Sequence, residues 1–359
     1  SNSIQDSTVT ANYNYWSLLP ALAAKYKNPQ DSVWLFTSDQ QQYFAGTRPE
    51  TIPQHFRWIP IATDKSINWL QAAIQTSPDS LLLILGQSSR EGTSYSKYKT
   101  ATSAQSINLP GQKQLQIKRQ QDTLLATIAG RSSKVKLQTE PLQVAILTNE
   151  AQQSEARYIK AALQAISSYT SLPINVSSDT SKADWVFWLR NEAVPQSINQ
   201  QVKQGLQVWV QQGQQPQNTN TTLASTGGTS IKVHQVSQLE PAQQHQLWTT
   251  ANGQPLLSSK TMGRGKIYTF RSGLGPAWSE LGQSAQLPEL LLPLLLPQPD
   301  AKYDYRALDE QQLLPENKVW AVIKSTTKSI RTDLLKWFVL TAFVLFLIER
   351  IIANRRSKV

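Results

Sequence analysis

Few residues in this 359-residue chain have the types and spacing needed for catalysis or metal binding. There is no cysteine, which excludes disulfides, thiolate nucleophiles and cysteine metal sites. The three histidines, His55, His234 and His245, do not have the spacing of metal ligands, and no HExxH sequence occurs. The sequence therefore predicts no catalytic residue and no cofactor.

Ser1, Ser3 and Asp39 form the candidate metal site, because they resemble part of the von Willebrand A-type metal site, in which an Asp-x-Ser-x-Ser motif follows the first strand and a distant aspartate ends a later one. Asp39 follows a predicted strand, and the carboxyl ends of strands are where open α/β sheets bind ligands. Serine and aspartate oxygens suit Mg²⁺. The alternative is that Ser1 and Ser3 belong to an ordinary terminus and that Asp39 lies in a turn. This alternative is preferred, so no metal is predicted.

Other short motifs do not carry chemistry. The stretches GQSSR and GQSAQ lack the second glycine of a nucleophile elbow. The GRGK stretch at 263–266 interrupts an alternating apolar pattern, which predicts a tight hairpin turn rather than a phosphate loop. A hydrolase that uses Ser or Asp at strand ends stays an alternative without a motif to support it.

Composition gives a weak indication of partners. The net charge is +11, but charged residues are only 16% of the chain. The basic residues are scattered, and no nucleic-acid motif occurs, so no nucleic acid is predicted as a partner. The 11 tryptophans are many for this length, and exposed ones would favour protein contacts.

The elements that must position these residues alternate between strands and helices in the first 94 residues. WSLLPALAAKY is predicted as a helix, VWLF and FRWIPI as strands, and SINWLQAAI as a second helix. SLLLILG is a third strand or the end of this unit. Strands that alternate with helices predict a parallel α/β sheet.

The next two segments differ in their periodicity. Residues 95–141 alternate around a polar turn at 120–122, which predicts a β-hairpin-rich segment. Residues 142–299 return to α/β, with strands LQVAILTN, ADWVFWL and LQVWV and a helix SEARYIKAALQAI whose apolar face is complete. The predicted fold class is therefore α/β, with two Rossmann-like or flavodoxin-like units, an intervening antiparallel β segment and one C-terminal transmembrane helix.

The C-terminal segment is almost uniformly apolar. A polar linker at 300–332 precedes a predicted transmembrane helix at 333–354, and a basic tail follows at 355–359. About 20 residues of helix would span roughly 30 Å, the thickness of a bilayer core. Basic residues flank both ends almost equally, so charge does not fix the orientation. The predicted anchor residues are Leu334, Leu335, Trp337, Phe338, Val339, Leu340, Phe343, Val344, Leu345, Phe346, Leu347 and Ile348.

Four stretches resemble bacterial BatA-type proteins, the family with an aerotolerance-regulator N-terminal region. VWLFTSDQQQYFAGTRPETIPQHFRWIPI is similar to their degenerate von Willebrand A-like part, where serines and a distant aspartate hold a metal. EARYIKAALQAI and ADWVFWL resemble the glutamine-amidotransferase-like domain that follows. GRGKIYTFRSGLGPAWSELGQSAQLPELLLPLLL resembles the closing segment, and the terminal apolar helix with its basic tail matches the anchor.

This resemblance implies a topology and partners. It implies two further membrane helices before Ser1, residues 1–331 in the periplasm, the tail in the cytoplasm, and partners among MoxR-type ATPases and A-domain proteins. The chain departs from the amidotransferase pattern because it has no cysteine, so a Cys-His-Glu glutaminase is excluded.

Taken together, the sequence predicts a non-catalytic protein of the bacterial inner membrane. It would act in the envelope as a scaffold or interaction module, mostly periplasmic, with protein partners. A periplasmic ligand-binding sensor, holding a sugar or a peptide, is the second interpretation, and the envelope hydrolase is the third.

Overall fold

The structure is a computed structural model of the chain. It describes residues 14–44, 48–49, 51–62, 65–110, 113–213, 215–223, 230–238, 245–251, 254–296, 305–308 and 313. The chain divides into two units, 1–317 and 318–359, and all the described residues belong to the first.

The N-terminal part contains one helix and a parallel pair of strands. These elements are α1 (Tyr15–Lys25), β1 (Val33–Ser38) and β2 (Phe56–Ile61). Asn14 caps α1 by accepting a hydrogen bond from the Trp16 amide. The Phe44 ring lies 5.3 Å from the Trp16 ring and 6.0 Å from the Trp58 ring, so it connects the helix to the sheet. The predicted helix and both predicted strands are confirmed here.

A seven-stranded sheet follows. Its strands are β3 (Ile67–Ser77), β4 (Ser80–Ser89), β5 (Gly92–Ala101), β6 (Ser106–Leu109), β7 (Lys113–Gln120), β8 (Thr123–Ile128) and β9 (Arg131–Gln138). The spatial order is β5-β4-β3-β9-β8-β7-β6, and all neighbours are antiparallel except β3 and β9. The sheet is nearly closed and barrel-like. The predicted hairpin at 120–122 is confirmed as the β7–β8 turn.

The inside of this sheet is apolar. Along β9, buried and exposed residues alternate, which is the pattern of a strand with one face in a core and one face in water. Strands β3 and β4 differ, because each contains a run of six consecutive buried residues. Leu83 lies in the core inside the sheet, whereas Leu82 lies in a second core on the outside.

That second core belongs to a mixed sheet with helices. Its elements are β10 (Leu142–Thr148), α2 (Gln153–Thr170), β11 (Ile174–Ser177), β12 (Trp185–Leu189), α3 (Gln196–Gln204), β13 (Gln207–Gln211), β14 (Pro216–Leu223), β15 (Ile231–Ser237), β16 (His245–Thr249), β17 (Pro255–Met262), β18 (Gly265–Phe270) and α4 (Leu287–Leu295). The order is β11-β10-β12-β13-β18-β17-β16, and β14 pairs with β15 separately.

The first five strands of this order are parallel, and β17 and β16 are antiparallel. The apolar face of α2 packs on the sheet, and Ile159, Ala162, Leu163 and Ile166 are buried as predicted. The predicted hairpin at 263–266 is also confirmed, since Met262 pairs with Gly265 and Gly263 has φ +63°.

The predicted fold class is wrong. The described structure is mostly β, and it is not two Rossmann-like α/β units with a β segment between them. The stretch SINWLQAAI, predicted as a helix, forms most of strand β3. Its run of apolar residues does not alternate, because both faces of β3 are buried. Residues 67–89, which the sequence placed at the end of a parallel α/β unit, therefore begin a mostly antiparallel sheet.

The predicted membrane placement is also withdrawn. Among the residues that the structure describes, no helix is long and apolar enough to cross a membrane. The predicted transmembrane helix at 333–354, with all its anchor residues, lies outside the described residues. The structure therefore does not support a membrane-spanning chain, an inner-membrane location or a periplasmic bulk.

Candidate binding site at the carboxyl edge of the mixed sheet

A cleft of about 440 Å³ opens where parallel strands of the mixed sheet end. Arg190 and Asn191 follow β12, and Gln211 and Gln212 end β13 or follow it directly. Ser237, at the end of β15, lines the cleft from the other side. The carboxyl edge of parallel strands is the usual ligand position in open α/β sheets, and the cleft occupies this position.

Three polar atoms of residues that line the cleft are buried and have no hydrogen-bond partner. They are Nε of Arg190, Oε1 of Gln211 and Oε1 of Gln212. Burying a polar atom without a partner costs about 1–3 kcal/mol, and such atoms are rare in native proteins. Three of the ten such atoms among the described residues belong to this cleft, which makes it the candidate site for a ligand or ordered water.

The Arg190 side chain is positioned by an aromatic ring. Its guanidinium carbon lies 5.3 Å from the centre of the Trp188 ring, a cation–π contact. The Trp188 indole N–H donates to the carbonyl of Glu192 over 2.8 Å, which fixes the loop that carries Arg190 and Asn191. The guanidinium is therefore held at the cleft wall.

Glu155, in the first turn of α2, positions the cleft-lining Gln211. Its carboxylate accepts hydrogen bonds from the backbone N–H groups of Leu274 at 2.6 Å and Gly275 at 3.1 Å. The Gln211 side chain donates to it as well. Burial raises the pKa of Glu155, although these three hydrogen bonds oppose the rise. Because the Gln211 amide nitrogen faces Glu155, its carbonyl oxygen is the atom left without a partner.

A second arginine supports the opposite wall. Arg271 follows β18 and donates to the carbonyls of Ser237 at 2.6 Å and Pro255 at 3.2 Å. The Ser237 hydroxyl donates to the backbone carbonyl of Gln212 over 2.6 Å. Burial lowers the pKa of Arg271. Arg271 therefore joins β15, β17 and β18 at this edge.

Gly273 makes room for Trp278 beside the cleft. A Cβ on Gly273 would lie 2.7 Å from Cγ of Trp278 and 3.0 Å from Oε1 of Glu155, closer than real Cβ atoms pack. The Trp278 ring would lie 3.7 Å from a Cβ on Gly213, which lines the cleft. Trp278 is half-buried, so an aromatic ring borders the polar wall.

The predicted site residues do not meet at this cleft. Asp39 is 2% exposed and pairs with Arg90, whose Nη1 lies 2.7 Å from Oδ2 of Asp39. Ser1 and Ser3 lie outside the described residues, so the metal site is not tested. Nε2 of His55 lies 2.9 Å from the Tyr26 carbonyl oxygen. The sequence reasoning missed Arg190, although a polar residue directly after an apolar strand such as WVFWL was a usable signal.

Comparisons with known proteins identify no family. No protein-family model and no curated protein matches the chain. The resemblance to BatA-type proteins stays a prediction, but the aerotolerance, von Willebrand A-like and amidotransferase-like descriptions that it implied have no support and are withdrawn.

Similar solved structures include three glycosidases. The first is an exo-β-1,4-mannosidase from Opitutaceae bacterium strain TAV5, with 12% identity and a TM-score of 0.29 over 43% of this chain and 34% of that one. The second is a β-galactosidase from Rahnella sp. R3, with 14% identity and a TM-score of 0.29 over 39% of this chain and 29% of that one. The third is a β-galactosidase from Bacillus circulans sp. alkalophilus, with 12% identity and a TM-score of 0.32 over 45% of this chain and 31% of that one. The chain spans about a third of the length of each. At these TM-scores the similarity carries no argument about activity, so the prediction of a non-enzyme stays a prediction.

Proposed function

We propose that this chain is a ligand-binding protein whose cleft at the carboxyl edge of the mixed sheet takes a small molecule rich in hydroxyl groups. The single observation that supports this is the set of three buried, unpartnered polar atoms around one cleft of about 440 Å³. This volume lies within the range of about 300–1,000 Å³ for ligand sites.

The chemistry of the unpartnered atoms favours hydroxyl groups. Nε of Arg190 is a donor, and the Oε1 atoms of Gln211 and Gln212 are acceptors. A hydroxyl group donates and accepts, so the hydroxyls of a sugar or a polyol match all three atoms once the side chains turn toward the cleft. An inorganic anion could pair with Arg190 but would give no hydrogen to Oε1 of Gln211, whose orientation Glu155 sets.

The test is calorimetric titration with a panel of glucose, galactose, mannose, xylose and myo-inositol. We expect at least one to bind, and we expect Gln212→Met to weaken that binding by about ten-fold or more, because the substitution removes one acceptor and keeps the side-chain length. The folded state of each variant is checked by its thermal midpoint.

A matched control exists on α3. Gln201 also has a buried, unpartnered Oε1, but it does not line the cleft. Gln201→Met should therefore bind the same compound as tightly as the wild type does. If no compound on the panel binds, or if both variants weaken binding equally, the cleft is not a site for hydroxylated ligands.

The role as an interaction module stays a prediction. The described residues include an exposed apolar strip on the β1–β2 pair, formed by Trp34, Phe36 and Ile61, which are 49%, 61% and 53% exposed. Parallel strands are usually covered on both faces. The hydrolase role likewise stays a prediction. The unpartnered atoms of the cleft belong to the amide groups of Gln211 and Gln212 and the guanidinium group of Arg190, which can orient a ligand but do not attack it.

A further inference from the structure

The barrel-like sheet carries most of the chain's excess positive charge. Residues 92–138 contain eight lysines and arginines and a single acidic residue, Asp122. They therefore contribute a net charge of +7, whereas the whole chain has +11. Such a concentration on one small sheet creates a local positive potential that attracts anions.

Strand register brings three of these lysines together on the outer face. Lys118 on β7 is opposite Leu125 on β8, and Leu125 is opposite Lys134 on β9. Lys136 lies two residues farther along β9, on the same face. Neighbouring strands are about 4.8 Å apart and residues i and i+2 about 7 Å apart, so the three Cα atoms lie within roughly 7–12 Å of one another. We call Lys118, Lys134 and Lys136 the lysine face.

An open groove runs beside the lysine face. It has a volume of about 750 Å³ and lies between the loop at 102–105 and strands β7 and β8. Lys118 itself lines it, together with Gln114, Gln116 and Thr127, so hydroxyl and amide groups stand next to the positive charge.

The lysine face has no acidic partner within the described residues. The ion pairs among the described residues are Arg90 with Asp39 and Lys232 with Glu280, and neither involves the lysine face. All three lysines are exposed. Their charges are therefore available to a bound anion, and neutralising them costs no internal pair.

We infer that the lysine face and its groove form a binding site for an acidic polysaccharide. Regularly spaced carboxylates would pair with the lysines, and sugar hydroxyls would bond to the glutamine and threonine side chains. Residues 106–138 contain no aromatic side chain, so this face offers no platform for stacking nucleic-acid bases. It also lacks the large apolar anchors of a protein interface. This site is separate from the cleft, and the inference does not depend on the proposed function.

The test measures binding of polygalacturonate at low salt, with dextran as the uncharged polymer. Replacing all three residues, Lys118→Gln, Lys134→Gln and Lys136→Gln, should weaken binding by about three-fold to one-hundred-fold, since three exposed charge pairs are lost. Binding by the wild type should also fall with added salt, and this dependence should be smaller in the triple variant.

Two further variants make the result specific. Replacing the exposed Lys160, Lys182 and Lys203 with glutamine removes the same net charge elsewhere, and this control should bind like the wild type. Replacing the lysine face with three arginines should retain binding. The inference is overturned if the glutamine variant of the lysine face binds normally, if dextran binds as well as polygalacturonate, or if poly(dT) or polyglutamate binds more tightly.

Discussion

Among single residues, Glu155 sets the direction of the Gln211 side chain, which lines the cleft. Its carboxylate is buried, yet it has three hydrogen-bond donors, the Leu274 and Gly275 backbones and the Gln211 side chain. Those bonds compensate part of the cost of taking a charge out of water. They also fix the direction of the Gln211 amide, and thereby the acceptor that the cleft presents.

The raised pKa of Glu155 predicts a pH dependence of stability. The folded state holds the Glu155 proton more tightly than the unfolded chain does. The contribution of this group to the free energy of unfolding is therefore fully present below its pKa in the unfolded chain, and it is lost as the pH rises through its pKa in the folded state. Glu155→Gln cannot ionise, so it should flatten the fall in the free energy of unfolding as the pH rises above the ordinary glutamate pKa of about 4.3.

Urea denaturation at a series of pH values measures this effect. The exposed Glu140 provides the control, because Glu140→Gln should leave the slope of the wild type unchanged. An unchanged slope in Glu155→Gln would show that the buried carboxylate is not the group responsible.

At the residue scale, the sequence could place some of this site but not all of it. Arg190 and Gln211 stand at the ends of predicted strands, so their location at the sheet edge was predictable. Glu155 was not, because a glutamate in the first turn of a helix is usually exposed. Its partners Leu274 and Gly275 are 119 and 120 residues away, and no local pattern links them.

For whole elements, burial on both faces explains where the prediction failed. Strand β3 has polar residues only near its ends and at Gln71, and Gln71 is itself buried. It accepts from the Trp69 indole and donates to the Leu296 carbonyl, so its polar groups are satisfied within the core. Strand β14 has the opposite character, because its sequence PQNTNTTL is almost entirely polar and gives no strand signal.

The pairing of β3 with β4 places Trp69 directly over Gly86. A Cβ on Gly86 would collide with the Trp69 ring. Gly86→Ala should therefore lower the free energy of unfolding by about 1–3 kcal/mol, because the ring is buried and has no free space to move into.

Urea denaturation also measures this change. Gly213→Ala is the matched control, since a Cβ there meets only Cζ2 of Trp278 at 3.7 Å, an ordinary contact, and Gly213 has no positive φ. A Gly86→Ala variant no less stable than Gly213→Ala would argue against close packing of Trp69 on this strand pair.

For the whole molecule, the two large sheets share one core. Leu82 and Ile84 on the outer face of β4 belong to the same cluster as Ile159 on α2 and Leu291 on α4. The Tyr169 hydroxyl also donates to the Tyr95 carbonyl over 2.9 Å. Sheets that share buried residues in this way should unfold together.

Leu82 and Leu83 test this coupling because they are neighbours on opposite faces of β4. Leu82→Ala and Leu83→Ala should each cost about 2–5 kcal/mol, since both leucines are buried. In both variants, tryptophan fluorescence and far-ultraviolet circular dichroism should report one coincident urea transition. Separate transitions, with each variant shifting a different one, would show that the sheets are independent.

At the scale of the whole molecule, local sequence patterns predicted single elements better than the fold class. Local periodicity predicted α1, α2 and many of the strands, but the fold class required knowing which strands are covered on both sides. The domain boundaries, the family resemblance and the interaction partners stay predictions, whereas the α/β fold class and the membrane placement are withdrawn.

The central claim is that the cleft at the carboxyl edge of the mixed sheet binds a hydroxylated ligand. Its most direct measurement is the set of backbone amide shifts of nitrogen-15-labelled protein titrated with the tightest sugar or polyol of the panel. We predict saturable shifts at Asn191, Gly213 and Gln238, which line the cleft. Shifts that cluster elsewhere on the molecule, or no saturable shift at all, would contradict the claim.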